Sequence, residues 1–294
     1  MRAAETEFLR ERPRLVGIAY GIIGDVGEAE DVVQEAWLRL GKALAAGEID
    51  DVTGWLVVAT SRLALDVMRS ARKRREDYVG PWLPEPVVRA ADEPEERVTL
   101  ADSVNMAMLV VLETLSPAER TAFVLHEVFG LPFAEIAEVV GRSAASVRQL
   151  ASRARRHVRE RSPRFDADPV RQREVASAFL AACEGGDITA MLRLLDPDVV
   201  LTSDGGGVVR AARRPVIGAD RVARFLAGIR AKLPDRELRP AVVNGAGGFL
   251  MLDDGRLVGA YAITVADGLV TAIDVVLHPT KLARASALIT NKEN

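Results

Sequence analysis

Apolar residues recur at helical spacing through the first 75 residues of the chain, and they predict three helices. The first helix carries Phe8, Leu15, Ala19, Ile22 and Ile23 and is expected to break at Gly24. The second covers residues 28–40 and is followed by a loop that begins at Gly41, and the third covers residues 53–75. The apolar positions of these two helices are Val32, Val33, Ala36, Trp37 and Leu40, then Trp55, Leu56, Ala59, Leu63, Val67 and Met68. The pattern predicts an all-α first domain, residues 1–76.

A second helical pattern follows between residues 101 and 164. Gly141 is suited to end one helix in a left-handed conformation, and Ser143 is suited to cap the next one. The inner faces of these two helices would be Phe133, Ile136, Ala137 and Val140, then Val147, Leu150, Ala151, Ala154 and Val158. Two helices in this register, joined by a short turn, are typical of a helix-turn-helix. The sequence therefore predicts a second all-α domain that contains this motif.

The pattern changes after residue 166, where short helices give way to strands. Helices are predicted at residues 170–185, 188–195 and 219–233. Strands are predicted at residues 199–203, 208–212, 238–244, 248–252, 257–265 and 269–277. Asp-Gly pairs at residues 254–255 and 267–268 are typical of tight hairpin turns. Residues 167–294 are therefore expected to form an α+β domain with a curved, mostly antiparallel sheet.

A proline-rich linker, residues 77–100, is expected between the two helical domains. Four prolines lie between residues 81 and 94, which excludes a regular helix and favours extended structure. The linker also carries Tyr78, Trp82 and Leu83, whose apolar surface is costly to leave in water. We therefore expect Trp82 and Leu83 to dock onto another part of the protein, against the alternative of an ordinary solvated linker.

The charge of this 294-residue chain is local, because its net charge is only −3. Residues 69–75 contain five cations, and residues 142–164 contain eight arginines against one acid, Glu160. On the second helix of the helix-turn-helix the outward positions are Arg148, Gln149, Ser152, Arg153, Arg155 and Arg156. Each basic helix alone could be a solvated face or could balance a helix dipole. Together they favour two separate contacts with nucleic acid.

Composition and motifs also limit the classes of function. The single cysteine, Cys183, permits no internal disulfide and fits a reducing compartment. The charged N-terminus does not resemble a signal peptide, and no apolar run reaches membrane-spanning length. These features predict a soluble, cytoplasmic protein without a membrane partner. We find no metal-ligand cluster and no nucleotide-binding loop, so no cofactor and no metal is expected.

Three sequence blocks, taken in order, resemble a bacterial extracytoplasmic-function sigma factor of RNA polymerase. They are Asp-Val-Val-Gln-Glu-Ala-Trp-Leu-Arg-Leu from residue 31, Trp-Leu-Val-Val-Ala-Thr-Ser-Arg-Leu-Ala-Leu-Asp-Val-Met-Arg from residue 55, and the helix-turn-helix. The resemblance covers about residues 5–163. It implies binding to the largest and second-largest subunits of core RNA polymerase and to promoter DNA.

The resemblance also assigns residues to these roles. Polymerase docking on the sigma-2 surface falls to Asp31, Gln34, Glu35 and Leu38, with Trp37 either docking or core. Capture of unstacked bases of the minus-ten element falls to Arg62, Asp66, Arg69, Arg72, Lys73, Arg74 and Arg75. Major-groove reading of the minus-thirty-five element by sigma-4 falls to Ser146, Arg148, Gln149, Arg153 and Arg156.

The C-terminal domain resembles the SnoaL-like, NTF2-like cone that a subgroup of these sigma factors carries as an extension. The motifs behind the resemblance are Trp82, Leu83, Pro84 and Glu85, then Asp204, Gly205, Gly206 and Gly207, then Lys281 and Leu282. The last motif departs from the expected Asn-Pro-Asp-Lys-Leu at His278 and Thr280. The resemblance implies that these residues make regulatory contacts and that the cone docks within the molecule to control it in cis. A small ligand in the cone is a further possible partner.

Two other classes of function compete with the sigma factor. A dimeric helix-turn-helix regulator with a ligand-sensing domain would have no use for the block at residues 31–40. A SnoaL-like enzyme with a DNA-binding appendage would need an acid–base pair in a pocket. The groups available for such a pair are Asp204, Arg210, Asp274 and His278. Nothing in their spacing demands catalysis, so no enzyme activity is expected, and Cys183 is expected in the core.

Overall fold

The computed structural model describes residues 2–47, 49–75, 77–90, 105–161 and 169–290, which form two compact units. The first unit holds the helices on either side of the linker. The second holds residues 77–90 of the linker together with the C-terminal domain. No helix in the described part of the chain is long and apolar enough to cross a membrane.

The first three helices are α1 (Arg2–Ile23), α2 (Val26–Ala46) and α3 (Val52–Arg75). Gly24 separates α1 from α2 at φ 81°, and the Asp25 carboxylate caps α2 by accepting a 2.8 Å hydrogen bond from the Glu28 N–H. The prediction of a loop at Gly41 is wrong, because α2 continues through this residue to Ala46. A glycine inside a helix costs only about 1 kcal/mol, and the packing of α2 against α1 and α3 offsets that.

The predicted core of α3 is only partly correct. Leu56 and Met68 are buried as expected, whereas Leu63 and Val67 are half-buried. Fully or nearly fully buried side chains also occur between these predicted positions, at Thr60, Ser61, Ala64 and Leu65. The reason is that α3 packs against four helices at once and therefore buries more than one stripe.

The remaining helices of this unit are α4 (Met106–Glu113), α5 (Pro117–Phe123), α6 (Phe133–Val140) and α7 (Ala144–Arg161). A wider turn, Val124–Val128, extends α5. The helix-turn-helix prediction is confirmed, although on α6 only Ile136 and Val140 of the four predicted inner residues are buried, whereas Phe133 and Ala137 are half-buried. Gly141 ends α6 at φ 70°, and the Ser143 hydroxyl accepts a 3.3 Å hydrogen bond from the Ser146 N–H. The buried stripe of α7 is the predicted one: Val147, Leu150, Ala151, Ala154 and Val158.

The second unit begins in the linker with the strand β1 (Val88–Ala90), which the sequence did not predict. It continues with α8 (Pro169–Gly185), α9 (Ile188–Leu194), β2 (Leu195–Asp204), β3 (Val216–Ile217), α10 (Ala219–Lys232), β4 (Glu237–Val243), β5 (Ala246–Asp253), β6 (Arg256–Ala266), β7 (Leu269–Val276) and α11 (Pro279–Thr290). The helix α11 was also not predicted. The α+β domain itself is confirmed.

The strands form one sheet in the order β1-β4-β5-β6-β7-β2-β3. All neighbouring pairs are antiparallel except β2 and β7. The predicted turns at Asp254-Gly255 and Asp267-Gly268 are confirmed, because all four residues have φ between 47° and 77°. Helices α8, α9 and α10 pack against the sheet around Phe179, Val199, Val222, Phe249 and Ile273.

The predicted strand at residues 208–212 is wrong, because this segment is a loop. Gly206 and Gly207 have φ of 59° and 73°, so the chain turns at once after β2. The N–H groups of Val208 and Val209 both donate to the Gly205 carbonyl at 3.0 Å, which satisfies them within the turn. The short strand β3 follows at Val216–Ile217 and pairs with β2.

Candidate functional site

The proposed docking face on α2 is exposed as one surface. Asp31, Gln34, Glu35 and Leu38 recur at helical spacing, and all four are solvent-accessible. Leu38 is 53% exposed, which is unusual for a large apolar side chain. Trp37 lies outside this face: it is half-buried and stacks on Phe8 with ring centroids 4.6 Å apart. The structure therefore places Trp37 in the packing of α1 against α2.

An acidic groove runs beside this face between α2 and α3. Its volume is about 490 Å³, and its lining includes Asp31 and Glu35 from α2 and Asp66 from α3. Asp66, predicted as a minus-ten residue, thus shares a groove with the docking residues. Its carboxylate accepts a 3.2 Å hydrogen bond from the Arg69 guanidinium, so these two predicted DNA contacts pair with each other.

Arg62, another predicted minus-ten residue, contacts the helix-turn-helix. Its guanidinium donates two hydrogen bonds, of 3.2 and 2.9 Å, to the carbonyl oxygen of Glu138 on α6. In this conformation Arg62 therefore holds α3 against α6. Residues 72–75 continue α3, but the side chains of Arg72, Lys73, Arg74 and Arg75 lie outside the described part of the structure.

The packing of α3 against α5 buries polar groups. Arg120 is fully buried; its Nε donates a 3.0 Å hydrogen bond to the Gly21 carbonyl, and it pairs with Glu113. The hydroxyls of Thr60, Ser61 and Thr121 are buried without a hydrogen-bond partner among the described residues. A buried hydroxyl without a partner costs about 1–3 kcal/mol. The first unit is therefore held together less tightly than its buried area suggests.

The outward face of α7 carries the predicted DNA contacts. Arg148, Gln149, Arg153 and Arg156 are exposed, and Ser146 is half-buried at the start of the helix. Two arginines on this face also contact other side chains of the protein. The guanidinium of Arg148 lies 5.6 Å from the centre of the Phe133 ring, a cation–π contact across the motif. Arg155 instead pairs with Glu127, which raises the pKa of the guanidinium further above its ordinary value.

The arginines on this face of α7 therefore fall into two groups, those that form an ion pair within the protein and those that do not. Arg155 is held by α5's extension, whereas Arg153 and Arg156 make no ion pair within the described ranges. These two arginines lie three residues apart and hence on the same side of the helix. A pair of exposed, unpaired guanidinium groups on one helix face is suited to contact phosphate oxygens or base edges.

In the second unit the linker is fixed to the cone by three residues, Leu83, Asp204 and Lys281, which we call the linker lock. The Asp204 carboxylate is fully buried and accepts hydrogen bonds from the Leu83 N–H at 2.8 Å and from the Lys281 ammonium at 2.7 Å. The same ammonium donates to the Leu83 carbonyl. Lys281 therefore joins a buried carboxylate to the backbone of the linker. The prediction that Leu83 docks onto the protein is confirmed.

Aromatic rings surround this ion pair. The Tyr78 hydroxyl donates a 2.6 Å hydrogen bond to the second carboxylate oxygen of Asp204. The Lys281 ammonium lies 3.9 Å from the centre of the Trp82 ring and 5.3 Å from the Tyr78 ring. The predicted docking of Trp82 is thus confirmed as well. Rings and backbone groups together compensate both charges, which a buried ion pair requires.

The three glycines after Asp204 are required by space and by backbone conformation. A Cβ on Gly205 would lie 2.3 Å from the Val209 carbonyl oxygen. A Cβ on Gly206 would lie 2.0 Å from the His278 ring, and Gly206 also has φ of 59°. Gly207 has φ of 73° and lies against Val79 of the linker. The glycine run therefore lets β2 end in a turn that presents the Asp204 carboxylate to the linker.

Further contacts extend the docking of the linker along the sheet. Glu85 is buried and lies 3.7 Å from Arg284 of α11, and Pro84 and Leu282 are buried with it. β1 pairs with β4, and the Asn244 side-chain oxygen accepts a 3.2 Å hydrogen bond from the Val87 N–H.

The sequence analysis missed Asn244 as a contact, because an Asn-Gly pair indicates only a hairpin turn. It also left Tyr78 out of the site, although an aromatic residue in a polar linker was a usable signal.

No hydrogen bond or ion pair joins any two of the four candidates for an acid–base pair, all of which lie in the described part of the chain. Asp204 is engaged in the linker lock, and the His278 ring caps α11 through a 3.3 Å hydrogen bond from the Thr280 N–H. Asp274 lies between Ile273 and Val275 on β7, and these two side chains belong to the core, so its carboxyl faces the other side of the sheet. Burial raises the pKa of Asp274 to about 7. Only Arg210 lines the large cavity of the cone.

Cys183 lies in the core as expected, and burial raises the pKa of its thiol to about 12. A thiol with so high a pKa is not a nucleophile at neutral pH. No group of three or more metal-ligating side chains occurs among the described residues.

Known proteins resemble this chain in both sequence and structure. The family model for Sigma-70 region 2 matches residues 8–74, and the model for Sigma-70, region 4 matches residues 105–158. The ECF RNA polymerase sigma factor SigJ of Mycobacterium tuberculosis is 42% identical over 294 residues, covering 96% of this chain and 93% of SigJ. The probable ECF RNA polymerase sigma factor SigI of the same species is 41% identical over 274 residues, covering 92% of each chain.

The structural comparison agrees. The crystal structure of M. tuberculosis SigJ matches with a TM-score of 0.76 at 41% identity, covering 94% of this chain and 97% of that one. The similarity extends through both helical segments, the linker and the cone, since so little of either chain is left uncovered. On these grounds the chain belongs to the ECF RNA polymerase sigma factors.

Proposed function

We propose that the cone of this sigma factor regulates transcription in cis by holding the linker in place. A sigma factor binds core RNA polymerase and directs initiation at promoters, so the segment between its two DNA-binding regions must follow a path through the polymerase. The linker lock is the observation that carries the proposal. It fixes that segment by a buried ion pair, and the cone supplies both charged groups, Asp204 and Lys281.

The lock acts on the backbone of the linker. Asp204 accepts from the Leu83 N–H and Lys281 donates to the Leu83 carbonyl, which satisfies both polar groups of one buried residue. Leu83 itself is 1% exposed. While these bonds persist, the linker is unavailable to any other partner. Release of the lock would free the segment around Leu83, residues 78–84, and this is the switch that we assign to the cone.

The two helical segments are proposed to contact promoter DNA after they separate. Arg62 on α3 is engaged by the Glu138 carbonyl of α6 in the present conformation, so it cannot at the same time hold an unstacked base. The buried hydroxyls of Thr60 and Thr121, which have no partner within the described ranges, favour such an opening, since water would satisfy them. Arg69 and residues 72–75 would then complete the minus-ten surface.

For duplex DNA, we assign the minus-thirty-five contacts to the exposed face of α7. Arg153 and Arg156 have the exposure expected of phosphate or base contacts. Arg148, Gln149 and Ser146 lie nearer the N-terminus of α7, which is the end that reads base edges in a helix-turn-helix.

Polymerase docking is assigned to Asp31, Gln34, Glu35 and Leu38. The support is their shared exposure, the apolar character of exposed Leu38, and the acidic groove beside them. On the family resemblance the partners are the largest and second-largest subunits, and the protein would act with them in the cytoplasm. We further propose that the cone is not an enzyme, because Asp204 and His278 are engaged in structural hydrogen bonds and Asp274 faces away from the cavity, which leaves Arg210 there without an acid or base partner among these candidates.

Run-off transcription with core polymerase and a cognate promoter tests regulation in cis. The full-length protein would be compared with Asp204→Asn, which breaks the lock, and with Asp220→Asn, which breaks an exposed ion pair on α10 of the same unit. Asp204→Asn should change the transcript yield several-fold, whereas Asp220→Asn should leave it unchanged. A rise would mean that the lock inhibits initiation, and a fall would mean that it activates. Equal yields from all three proteins, with binding to core polymerase intact, would overturn the proposal.

A further inference from the structure

The cone contains a large cavity that the linker lock does not use. Its volume is about 750 Å³, and it opens between α10, the loop after β2 and the strands β5, β6 and β7. A cavity of roughly 300–1,000 Å³ is the size that holds a small organic ligand in proteins. Most of the lining is apolar, with Leu201, Phe225, Val258, Val275 and Leu277 among its residues. An apolar cavity of this size is suited to an apolar ligand body.

The charged residues of this cavity are all cations. Arg210, Lys232, Arg236 and Arg256 line it, and no aspartate or glutamate does so among the described residues. Arg236 is neutralised by Asp253, to which it donates hydrogen bonds of 3.0 and 3.2 Å. Arg210, Lys232 and Arg256 are exposed and make no ion pair within the described ranges. Three uncompensated cations around one opening create a positive potential that attracts an anion.

The cavity lining also includes two buried hydroxyl side chains, Ser203, whose hydroxyl bonds to the backbone of Ala212, and Tyr261. Tyr261 lines the cavity, is 4% exposed, and directs its hydroxyl at the sulfur of Met251 across 3.7 Å. A thioether is a weak acceptor, so this O–H donor is poorly satisfied. Burial raises the pKa of the phenol above its ordinary value, which keeps the proton in place. The cavity lining therefore combines exposed cations, apolar walls and the poorly satisfied hydroxyl of Tyr261.

We infer that the cone binds one molecule of a monocarboxylate with a medium-length apolar chain. Its carboxylate would lie between Arg210, Lys232 and Arg256, and its chain would extend along β6 toward Tyr261. From Arg256 to Tyr261 the strand rises about 16 Å, a length suited to a chain of the dodecanoate type. The inference concerns binding alone, so it does not depend on whether the cone regulates transcription.

Isothermal titration calorimetry of the full-length protein tests this inference, with dodecanoate as the probe. One saturable site is expected. Dodecan-1-ol, which has the same chain without the charge, should bind about tenfold more weakly or worse, since it lacks the carboxylate that accepts charge-assisted hydrogen bonds from the cations. Acetate, which has the charge without the chain, should give no saturable heat.

Matched variants locate the site. Arg256→Gln and Arg210→Gln should each weaken dodecanoate binding about tenfold and leave dodecanol binding unchanged. Arg193→Gln removes an exposed cation from α9, which does not line the cavity, and should change neither affinity. The absence of a saturable site would overturn the inference. So would equal affinities for the acid and the alcohol, or dodecanoate binding that Arg256→Gln and Arg210→Gln do not weaken.

Discussion

Replacing Asp204 by asparagine should release the linker from the cone while the cone stays folded. The substitution keeps the shape of the side chain and removes its charge. Asp204 accepts four hydrogen bonds, from Tyr78, Leu83, Gly206 and Lys281, at 2.6 to 3.1 Å. An amide has one acceptor oxygen and one donor nitrogen, so it cannot satisfy four donors. The Lys281 ammonium, whose side chain is 9% exposed, would lose its counter-charge.

The size of the effect follows from these contacts. Removing one partner of a buried ion pair costs about 3–5 kcal/mol, because the other charge stays desolvated. We expect the lower end, about 3 kcal/mol, since the Lys281 ammonium keeps the Leu83 carbonyl and the face of Trp82. This loss of free energy weakens the attachment of the linker, because that attachment depends on the linker lock. At 1.4 kcal/mol for each factor of ten, the linker should open about a hundredfold more often.

Hydrogen–deuterium exchange of the full-length protein measures this opening. The Leu83 N–H is protected by Asp204, so peptides covering residues 78–84 should lose about a hundredfold in protection. Peptides from β5 and β6 should be unchanged. Lys281→Met supplies a second test, because it removes the stranded cation. The double variant should lose less free energy of linker attachment than the two single variants lose together, and the coupling energy should be about 2 kcal/mol.

Two results would refute this account of the lock. One is unchanged exchange of residues 78–84 in Asp204→Asn, which would mean that the ion pair does not hold the linker. The other is strict additivity of Asp204→Asn and Lys281→Met, which would mean that the two charges do not interact. Asp220→Asn is the matched control, because its pairing with Arg224 is exposed and should be irrelevant to exchange in the linker.

Three further predictions concern other parts of the molecule. Burial raises the folded-state pKa of Asp274 to about 7, so the native state is destabilised as the pH rises from about 4 to 7. In urea unfolding, the free energy of unfolding of Asp274→Asn should exceed that of the wild type by up to ~4 kcal/mol at pH 8 and by little at pH 4. A difference that does not depend on pH would contradict the assignment. Thr60→Val and Thr121→Val should each raise the free energy of unfolding by about 1 kcal/mol, and together they should raise the thermal midpoint and reduce run-off transcription by favouring the compact first unit; a lower midpoint would contradict this. Arg148→Ala should lose about 1–3 kcal/mol of discrimination for the upstream element in binding assays, whereas equal loss on all sequences would assign Arg148 to phosphate contact.

The helices and hairpins could be predicted because their signals are local. The stripe of α7 repeats every three or four residues, and its arginines fall on the opposite side, so burial and exposure both followed from spacing. The turns at Asp254-Gly255 and Asp267-Gly268 followed from the backbone freedom of their residues. The strand predicted at residues 208–212 failed because its apolar residues belong to a turn that Gly206 and Gly207 impose.

The contacts between distant segments could not be derived in this way. Leu83 lies 121 residues before Asp204, and Lys281 lies 77 residues after it. No periodicity relates these positions, and only the family resemblance grouped them. The packing of α3 against α5 and α6 escaped prediction for the same reason. Arg62 reads as a cation on a solvent-exposed helix face, and nothing in the sequence reveals that the Glu138 carbonyl lies within its reach.

Two residues at the start of α11, His278 and Thr280, differ from the family motif, and the structure shows how the linker lock forms with them. His278 stands where the family form has asparagine, and asparagine is a good helix cap because its side-chain oxygen accepts a backbone N–H. The His278 Nδ1 does the same for the Thr280 N–H at 3.3 Å, so the cap is kept with a different side chain. The larger ring needs room, and the missing side chain of Gly206 provides it. Thr280 contributes its backbone N–H, which any residue but proline could supply. The motif therefore preserves a helix start that places the Lys281 ammonium within hydrogen-bond distance of Asp204.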